Sequence, residues 1–181
     1  MRRILVGGGA RSGKSAFALS LARGLGPRRV YVATAEAKDA EMAERIGRHA
    51  RERGGDFRTV EAPIGVVEAV RAVRDADVLV LDCVTFWLSN LLLRGSGEEE
   101  ILGEVGKLAG AVREAPFHSV LVTNEVGMGL VPETPLGRAF RDVTGRAHQA
   151  LAAAADEVYF GLLGAMIRLR PAPVAAVEGG R

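Results

Sequence analysis

Ile4-Leu5-Val6-Gly7-Gly8-Gly9-Ala10-Arg11-Ser12-Gly13-Lys14-Ser15 opens the chain with a short apolar run that breaks on glycines and ends in Gly-Lys-Ser. The apolar run reads as a buried strand. Ser15 to Leu25, with Phe17, Leu21 and Leu25 at i, i+4 and i+8, reads as an amphipathic helix. Gly8 to Ser15 between them is a complete phosphate-binding loop. Its glycines let the backbone wrap a phosphate and aim several N–H groups at it. Lys14 adds a mobile charge for the β- and γ-phosphates, Ser15 a hydroxyl for Mg²⁺, and the helix its positive end. Such a pattern also occurs as a plain glycine turn, but here it joins a strand to a helix, as phosphate binding requires.

The same alternation continues outward. Val30 to Thr34 is a second strand, and Glu41 to Arg53 a helix with favourable Glu41/Arg45 and Glu44/Arg48 pairs. Gly54-Gly55-Asp56 breaks it before a short strand from Phe57 to Glu61. Val66 to Val73 is helical, Val78 to Leu81 a strand ending at Asp82, and Phe86 to Leu93 a largely buried helix. Gly95-Ser96-Gly97 and the three glutamates after it open another helix, because acids favour the first turn. Ser119 to Thr123 is a strand ending in Asn124-Glu125, and Gly127 to Pro135 is a loop. Leu136, Phe140, Val143, Ala147 and Leu151 mark the stripe of a long helix. Val158 to Leu163 and Met166 to Leu169 close the chain as a strand pair through Gly164. Strands that are apolar throughout and separated by helices imply an α/β domain, its mostly parallel sheet covered on both faces. Residues 1–170 are expected to form one domain and 171–181, rich in Ala, Pro and Gly, a frayed tail.

A chain of 181 residues with 48% hydrophobic and 25% charged residues is of ordinary globular make-up. The net charge of +2 is too slight to argue for nucleic acid by itself, but Arg45, Arg48, Arg51, Arg53 and Arg58 cluster as a polyanion ligand would want, or as a solvated helix face. Aromatic residues make up 5%, with no basic groove in which they alternate with cations to stack bases. One cysteine, Cys83, excludes an internal disulfide, and its place behind an apolar strand suits a core residue. No apolar run is long enough for a bilayer, and the early strand leaves no room for a signal peptide, so a cytoplasmic protein without membrane insertion is expected.

Asp82, at a strand end, is placed to hold Mg²⁺, or else to cap the next helix. Glu125 also ends a strand and reads as a base, a metal holder or a plain surface glutamate. His49 shares a helix face with Met42 and Ile46, with Arg45 and Arg53 each four residues away. It reads either as a half-buried packing residue or as a neutral imidazole that attacks phosphorus while the arginines stabilise the developing charge. His118 and His148 are assigned structural roles.

The phosphate-binding loop together with Thr123-Asn124-Glu125-Val126-Gly127-Met128-Gly129-Leu130-Val131-Pro132 resembles the bifunctional adenosylcobinamide kinase/adenosylcobinamide-phosphate guanylyltransferase family. The likeness continues through Phe140-Arg141-Asp142, Gly145-Arg146 and Leu151 to Val158, and includes Glu41-Met42, Arg45-Ile46, His49, Thr59 and Glu61. It implies a RecA-like P-loop fold, a homotrimer and two reactions. The aminopropanol hydroxyl of adenosylcobinamide is phosphorylated by ATP or GTP. GTP then guanylylates an enzyme histidine, and GMP passes to adenosylcobinamide phosphate. The guanylylated histidine falls on His49, and Lys14 neutralises the departing pyrophosphate with Mg²⁺ at Ser15 and Asp82. The implied nucleotide contacts are Gly8, Gly9, Ala10, Arg11, Ser12, Gly13, Lys14, Ser15, Ala33, Thr34, Ala35, Ala50, Arg51, Glu52, Arg53, Glu61 and Asp82. Three positions depart from the family pattern: Gly54 for a proline, Phe57 for a tryptophan and Asp82 for a glutamate. One loop serving both γ- and α-phosphate chemistry implies two nucleotide registers or a moving His49 segment, with Gly47 and Gly54-Gly55 as hinges. Rival readings are a single-activity small-molecule kinase and a RecA-like DNA-binding ATPase.

Overall fold

In the computed structural model, which describes residues 1–37 and 39–177, strands and helices alternate from the first residues. In chain order they are β1 (Arg3–Gly8), α1 (Lys14–Leu25), β2 (Arg29–Ala33), α2 (Ala40–Arg53), β3 (Arg58–Glu61), α3 (Val66–Ala72) and β4 (Val78–Asp82). There follow α4 (Val84–Leu93), α5 (Glu98–Glu114), β5 (His118–Val122), α6 (Pro135–Ala154), β6 (Glu157–Leu162), β7 (Ala165–Arg170) and β8 (Ala175–Val177). The described strands form one sheet in the order β3-β2-β4-β5-β1-β6-β7-β8. From β3 to β6 every pairing is parallel, while β6–β7 and β7–β8 are antiparallel.

Each central strand supplies both faces, as uniformly apolar runs must. Leu5, Val30, Val32, Leu79, Leu81 and Leu121 face the layer of α3, α4, α5 and α6. Ile4, Val6, Tyr31, Val78, Val80, Val120 and Val122 face α1 through Phe17, Ala18, Leu19 and Ala22. Trp87 of α4 is fully enclosed in the first layer, and its indole N–H donates to the Ile64 carbonyl at 2.8 Å, so its one polar atom is satisfied.

The structure revises several expectations. Leu136 is 51% exposed, so the α6 stripe starts at Phe140. A helix of 20 residues spans about 30 Å, whereas a strand of 5 residues such as β5 spans about 17 Å; the helix therefore overhangs the sheet. The C-terminal pair gains a third member, because Ala175–Val177, inside the segment expected to fray, pairs antiparallel with β7. Residues 178–181 lie outside the described ones. Leu163 and Gly164, with φ of 53° and 82°, turn the β6–β7 hairpin, so Leu163 is not part of the strand. Thr34 and Thr123 also fall just past their strands, and α4 begins at Val84.

The start of β6 is fastened beside the N-terminus by two forked ion pairs. Arg2 donates to both Glu157 oxygens at 2.6 and 2.8 Å, and Arg3 donates to Asp156 at 2.6 and 2.9 Å. These guanidinium bonds hold Glu157 and Asp156 below the ordinary carboxylate range. A carboxylate whose folded pKa is depressed stabilises the fold above its unfolded value of about 4.3 for Glu, and that stability is lost as pH falls through the folded value. Glu157→Gln should therefore lower the melting midpoint at pH 7 by about 2 °C. The gap to the wild type should close below pH about 4; a pH-independent gap in melting curves would contradict this account.

Candidate active site

The loop between β1 and α1 depends on a close approach of backbones. Gly8 (φ 149°) lies opposite Gly161 of β6, and a Cβ on it would come within 2.7 Å of the Gly161 carbonyl and 2.8 Å of Ser12 Oγ. Gly13, with φ 85°, starts α1 without a side-chain cap, so the first N–H groups of the helix are left to a ligand. Ser12 Oγ is buried with no hydrogen-bond partner among the described residues, which suits a loop that closes on phosphate oxygens. Lys14 is 7% exposed, and its Nζ donates to the Gly9 carbonyl at 3.0 Å. Burial pushes the Lys14 ammonium below its usual range; Cys83 and Asp82 oppose this and the charge of Arg45 adds to it.

Asp82 stands at the end of β4, and one of its oxygens accepts from the Tyr31 hydroxyl at 3.1 Å. Burial and the neighbouring Asp82 charge drive the Tyr31 pKa far upward, which keeps it a donor. The guanidinium of Arg53 lies 4.1 Å from the Tyr31 ring centroid and donates to Thr59 Oγ1 at 3.0 Å, tying the end of α2 to β2 and β3. Thr34 Oγ1 donates to the Cys83 carbonyl at 2.7 Å and accepts from the Cys83 amide at 2.8 Å, which occupies the hydroxyl and locks the 33–35 turn to the start of α4. Asn90 braces the same turn by donating to the carbonyls of Thr34 and Pro63. Cys83 itself is buried and its thiol is pushed up to about 12, so the core reading of this residue fits. Phe57, at one of the departures from the family pattern, is buried edge-on to Tyr31 with Arg23 and Arg29 over its ring.

The helix α2 buries none of its residues. Met42, Ile46 and His49 are half-buried along its inner face, while Arg45, Arg51 and Glu52 are exposed. The His49 ring is 38% exposed, with Nδ1 3.7 Å from a Glu52 oxygen. No described hydrogen bond or ion pair links His49 to the loop from Gly8 to Ser15. The arginine cluster is divided among local partners: Arg45 lies over Phe86, Arg48 near Glu44, and Arg53 on Tyr31. Ala50 accepts from the Gly54 amide at the helix end, and Glu61 closes β3 beside Ala33.

On the other side of the loop, the Glu125 amide donates to the Gly8 carbonyl at 2.9 Å. His148 of α6 places Nε2 2.7 Å from Thr123 Oγ1 and Nδ1 3.7 Å from a Glu125 oxygen. Burial lowers the His148 pKa against the opposing pull of Glu125, so the ring is neutral near pH 7. Sequence reasoning missed this grouping: 23 positions separate Glu125 from His148, and helical periodicity reports only that His148 is on the buried stripe of α6. His118 accepts from the Arg2 amide at 2.8 Å and ties β5 to the N-terminus, in keeping with a structural role.

The fold defines a RecA-like P-loop domain. It is shared with the crystal structure of the RadB recombinase at a TM-score of 0.56 and 14% identity, over 97% of this chain and 86% of that one. An ATPase from the type III secretion system of pathogenic bacteria gives a TM-score of 0.56 at 13% identity, over 88% of this chain and 50% of that one. At such identities the likeness concerns the fold alone. Within that class the sequence is decisive: residues 4–169 match the family model described as cobinamide kinase / cobinamide phosphate guanyltransferase. The bifunctional adenosylcobalamin biosynthesis protein CobU of Escherichia coli (strain K12) is 42% identical, over 92% of this chain and 99% of that protein. CobU of Salmonella typhimurium (strain LT2) is 41% identical over the same shares, and CobP of Pseudomonas aeruginosa (strain PAO1) 40% identical over 95% of this chain and 99% of that protein. The chain belongs to the cobinamide kinase/cobinamide phosphate guanyltransferase family.

The backbone contact at Gly8 gives a direct test. Gly8→Ala must displace the Gly161 carbonyl, whereas Gly161→Ala meets side-chain ends at Met166 Cε and Ser12 Oγ, both at 2.9 Å. By calorimetric titration, Gly8→Ala should weaken GTP and ATP binding about tenfold or more, or about 1.4 kcal/mol. Gly161→Ala should weaken it less; equal affinity in wild type and Gly8→Ala would refute the packing argument.

Proposed function

We propose that the chain performs both reactions of its family in one catalytic unit, with His49 as the guanylylated residue. The observation that carries this is the position of His49 on α2. This helix buries no residue, and its Arg45 lies within electrostatic reach of Lys14 beside the phosphate-binding loop. In the kinase reaction the aminopropanol hydroxyl of adenosylcobinamide attacks the γ-phosphorus of ATP or GTP, and the bond to the β-phosphate oxygen breaks. In the transferase reaction an imidazole nitrogen of His49 attacks the α-phosphorus of GTP and pyrophosphate departs, leaving a phosphoramidate. The phosphate of adenosylcobinamide phosphate then attacks that phosphorus, the P–N bond breaks, and adenosylcobinamide-GDP forms with neutral histidine as the leaving group once protonated.

The nucleotide is held by the loop from Gly8 to Ser15, by Ala33 to Ala35, Ala50 to Arg53 and Glu61, and by Asp82. Guanylylation at His49 and phosphorylation at one loop take either two nucleotide registers or a swing of α2 about Gly47 and the Gly54-Gly55 bend, a motion that its lack of buried residues makes inexpensive. Mg²⁺ fits the oxygen donors of Ser15 and Asp82. No group of three or more His, Cys, Asp or Glu able to hold a metal occurs among the described residues, as suits an ion completed by phosphates and water. Such an ion would neutralise phosphate charge. No described helix is long and apolar enough to cross a membrane. A cytoplasmic location fits the nucleotide substrates and the free thiol of Cys83. The family likeness implies a homotrimer, for which light scattering should give three times the 19.1 kDa chain mass, whereas a single chain mass would refute it.

The decisive measurement uses GTP labelled at the α-phosphate. The wild type and His118→Ala should retain acid-labile label, and His49→Ala should retain none. A wild type that takes up no label while still phosphorylating cobinamide would leave the single-activity kinase as the correct reading.

A further inference from the structure

A chain of polar contacts ends at the rim of the phosphate-binding loop. The Asn124 amide donates to Thr85 Oγ1 at 2.7 Å, and the Thr85 and Thr123 hydroxyls are 3.0 Å apart. Thr123 Oγ1 is 2.7 Å from His148 Nε2, and His148 Nδ1 is 3.7 Å from Glu125 Oε2. Thr85 Oγ1 also donates toward the Asn124 carbonyl at 3.4 Å, and with Thr123 donating to Nε2 the neutral ring accepts there. The ring proton then sits on Nδ1, facing the carboxylate. The other Glu125 oxygen accepts from the Gly127 amide, so one end of the carboxylate is hydrogen-bonded and the other faces Nδ1 at 3.7 Å.

Glu125 lines a cleft of about 410 Å³ together with Gly9 to Ser12, and Met128, Phe160, Leu162 and Leu163 form its apolar wall. The cleft thus brings a carboxylate and an apolar surface to the loop that grips the β- and γ-phosphates. An alcohol is a weak nucleophile toward phosphorus unless a nearby group takes its proton. Lys14, as an ammonium, has no lone pair to accept it. Asp82 is bonded to Tyr31, and His49 lies on α2 and does not line the cleft.

We propose that Glu125 is the base of the kinase reaction, held in place by His148 as a positioning residue. The assignment rests on the kinase half of the function proposed above. The substrate hydroxyl oxygen bonds to the γ-phosphorus and the bond to the β-phosphate oxygen breaks. The electron pair leaves with the nucleoside diphosphate, and the hydroxyl proton passes to a Glu125 oxygen. Guanylylation of His49 loses no alcohol proton and does not use Glu125.

The test measures two activities on the full chain: γ-phosphate transfer to adenosylcobinamide, and α-label retained from GTP. Glu125→Gln should lower the kinase kcat by about 100-fold or more, with nucleotide KM little changed and α-label at the wild-type level, which also shows that the variant is folded. His148→Ala should lower kcat about tenfold at unchanged KM. His148→Asn, whose amide keeps a donor near Nδ1, should recover part of that loss, and His148→Phe should not. A Glu125→Gln kinase rate near that of the wild type, or equal loss of both activities, overturns the base assignment alone. Equal rates in the three His148 variants overturn the positioning role. A wild type that transfers no γ-phosphate overturns the kinase reading and this inference together.

Discussion

One row of register crosses the sheet and sets where every loop can act. Glu61 of β3 is level with Ala33 of β2, Ala33 with Asp82 of β4, Asp82 with Val122 of β5, and Val122 with Val6 of β1. Parallel pairing makes all these strands end at the same edge, so the phosphate-binding loop, the 33–35 turn, the Asp82 carboxylate and the Thr123–Glu125 segment emerge together. A slip of one residue in any pair would turn each side chain to the opposite face and dismantle the group. The buried apolar rows that fix the register thus also fix the chemistry, through Leu79, Leu81 and Leu121 on one face and Val80, Val120 and Val122 on the other.

Within that frame the two sides of the loop differ in rigidity. Toward β5 and α6, the polar groups are braced by buried threonines and a neutral histidine. Toward β2 and β3, α2 lies on the surface and is held by Arg53 on Tyr31 and by a capping Asp39 whose carboxylate accepts from the Met42 amide at 2.7 Å. One phosphate cradle is thus flanked by a buried side and by a surface helix, in a family that acts at two phosphorus atoms.

Much of this was legible in the sequence because it is written in local pattern. The apolar runs at Ile4, Val30, Val78 and Ser119 located the central strands, and the glycine-lysine-serine signal located the loop. Features that depend on distant partners were not legible. The strand at Ala175–Val177 comes from the open edge of β7, since alanine carries little strand preference. The exposure of Leu136 follows from the length of α6 relative to the sheet, which periodicity does not contain. The approach of His148 to Glu125 and the enclosure of Phe57 by two arginines arise from folding over long sequence separations.

The interlock of Thr34 with Cys83 has a practical consequence. The single thiol of the chain, on Cys83 between the end of β4 and the start of α4, is poorly ionised and buried. In the native state it is therefore a closed chemical clock: alkylating reagents reach it only when the packing around the start of α4 opens. The rate at which the intact protein is modified reports how often that packing opens, with no engineered label.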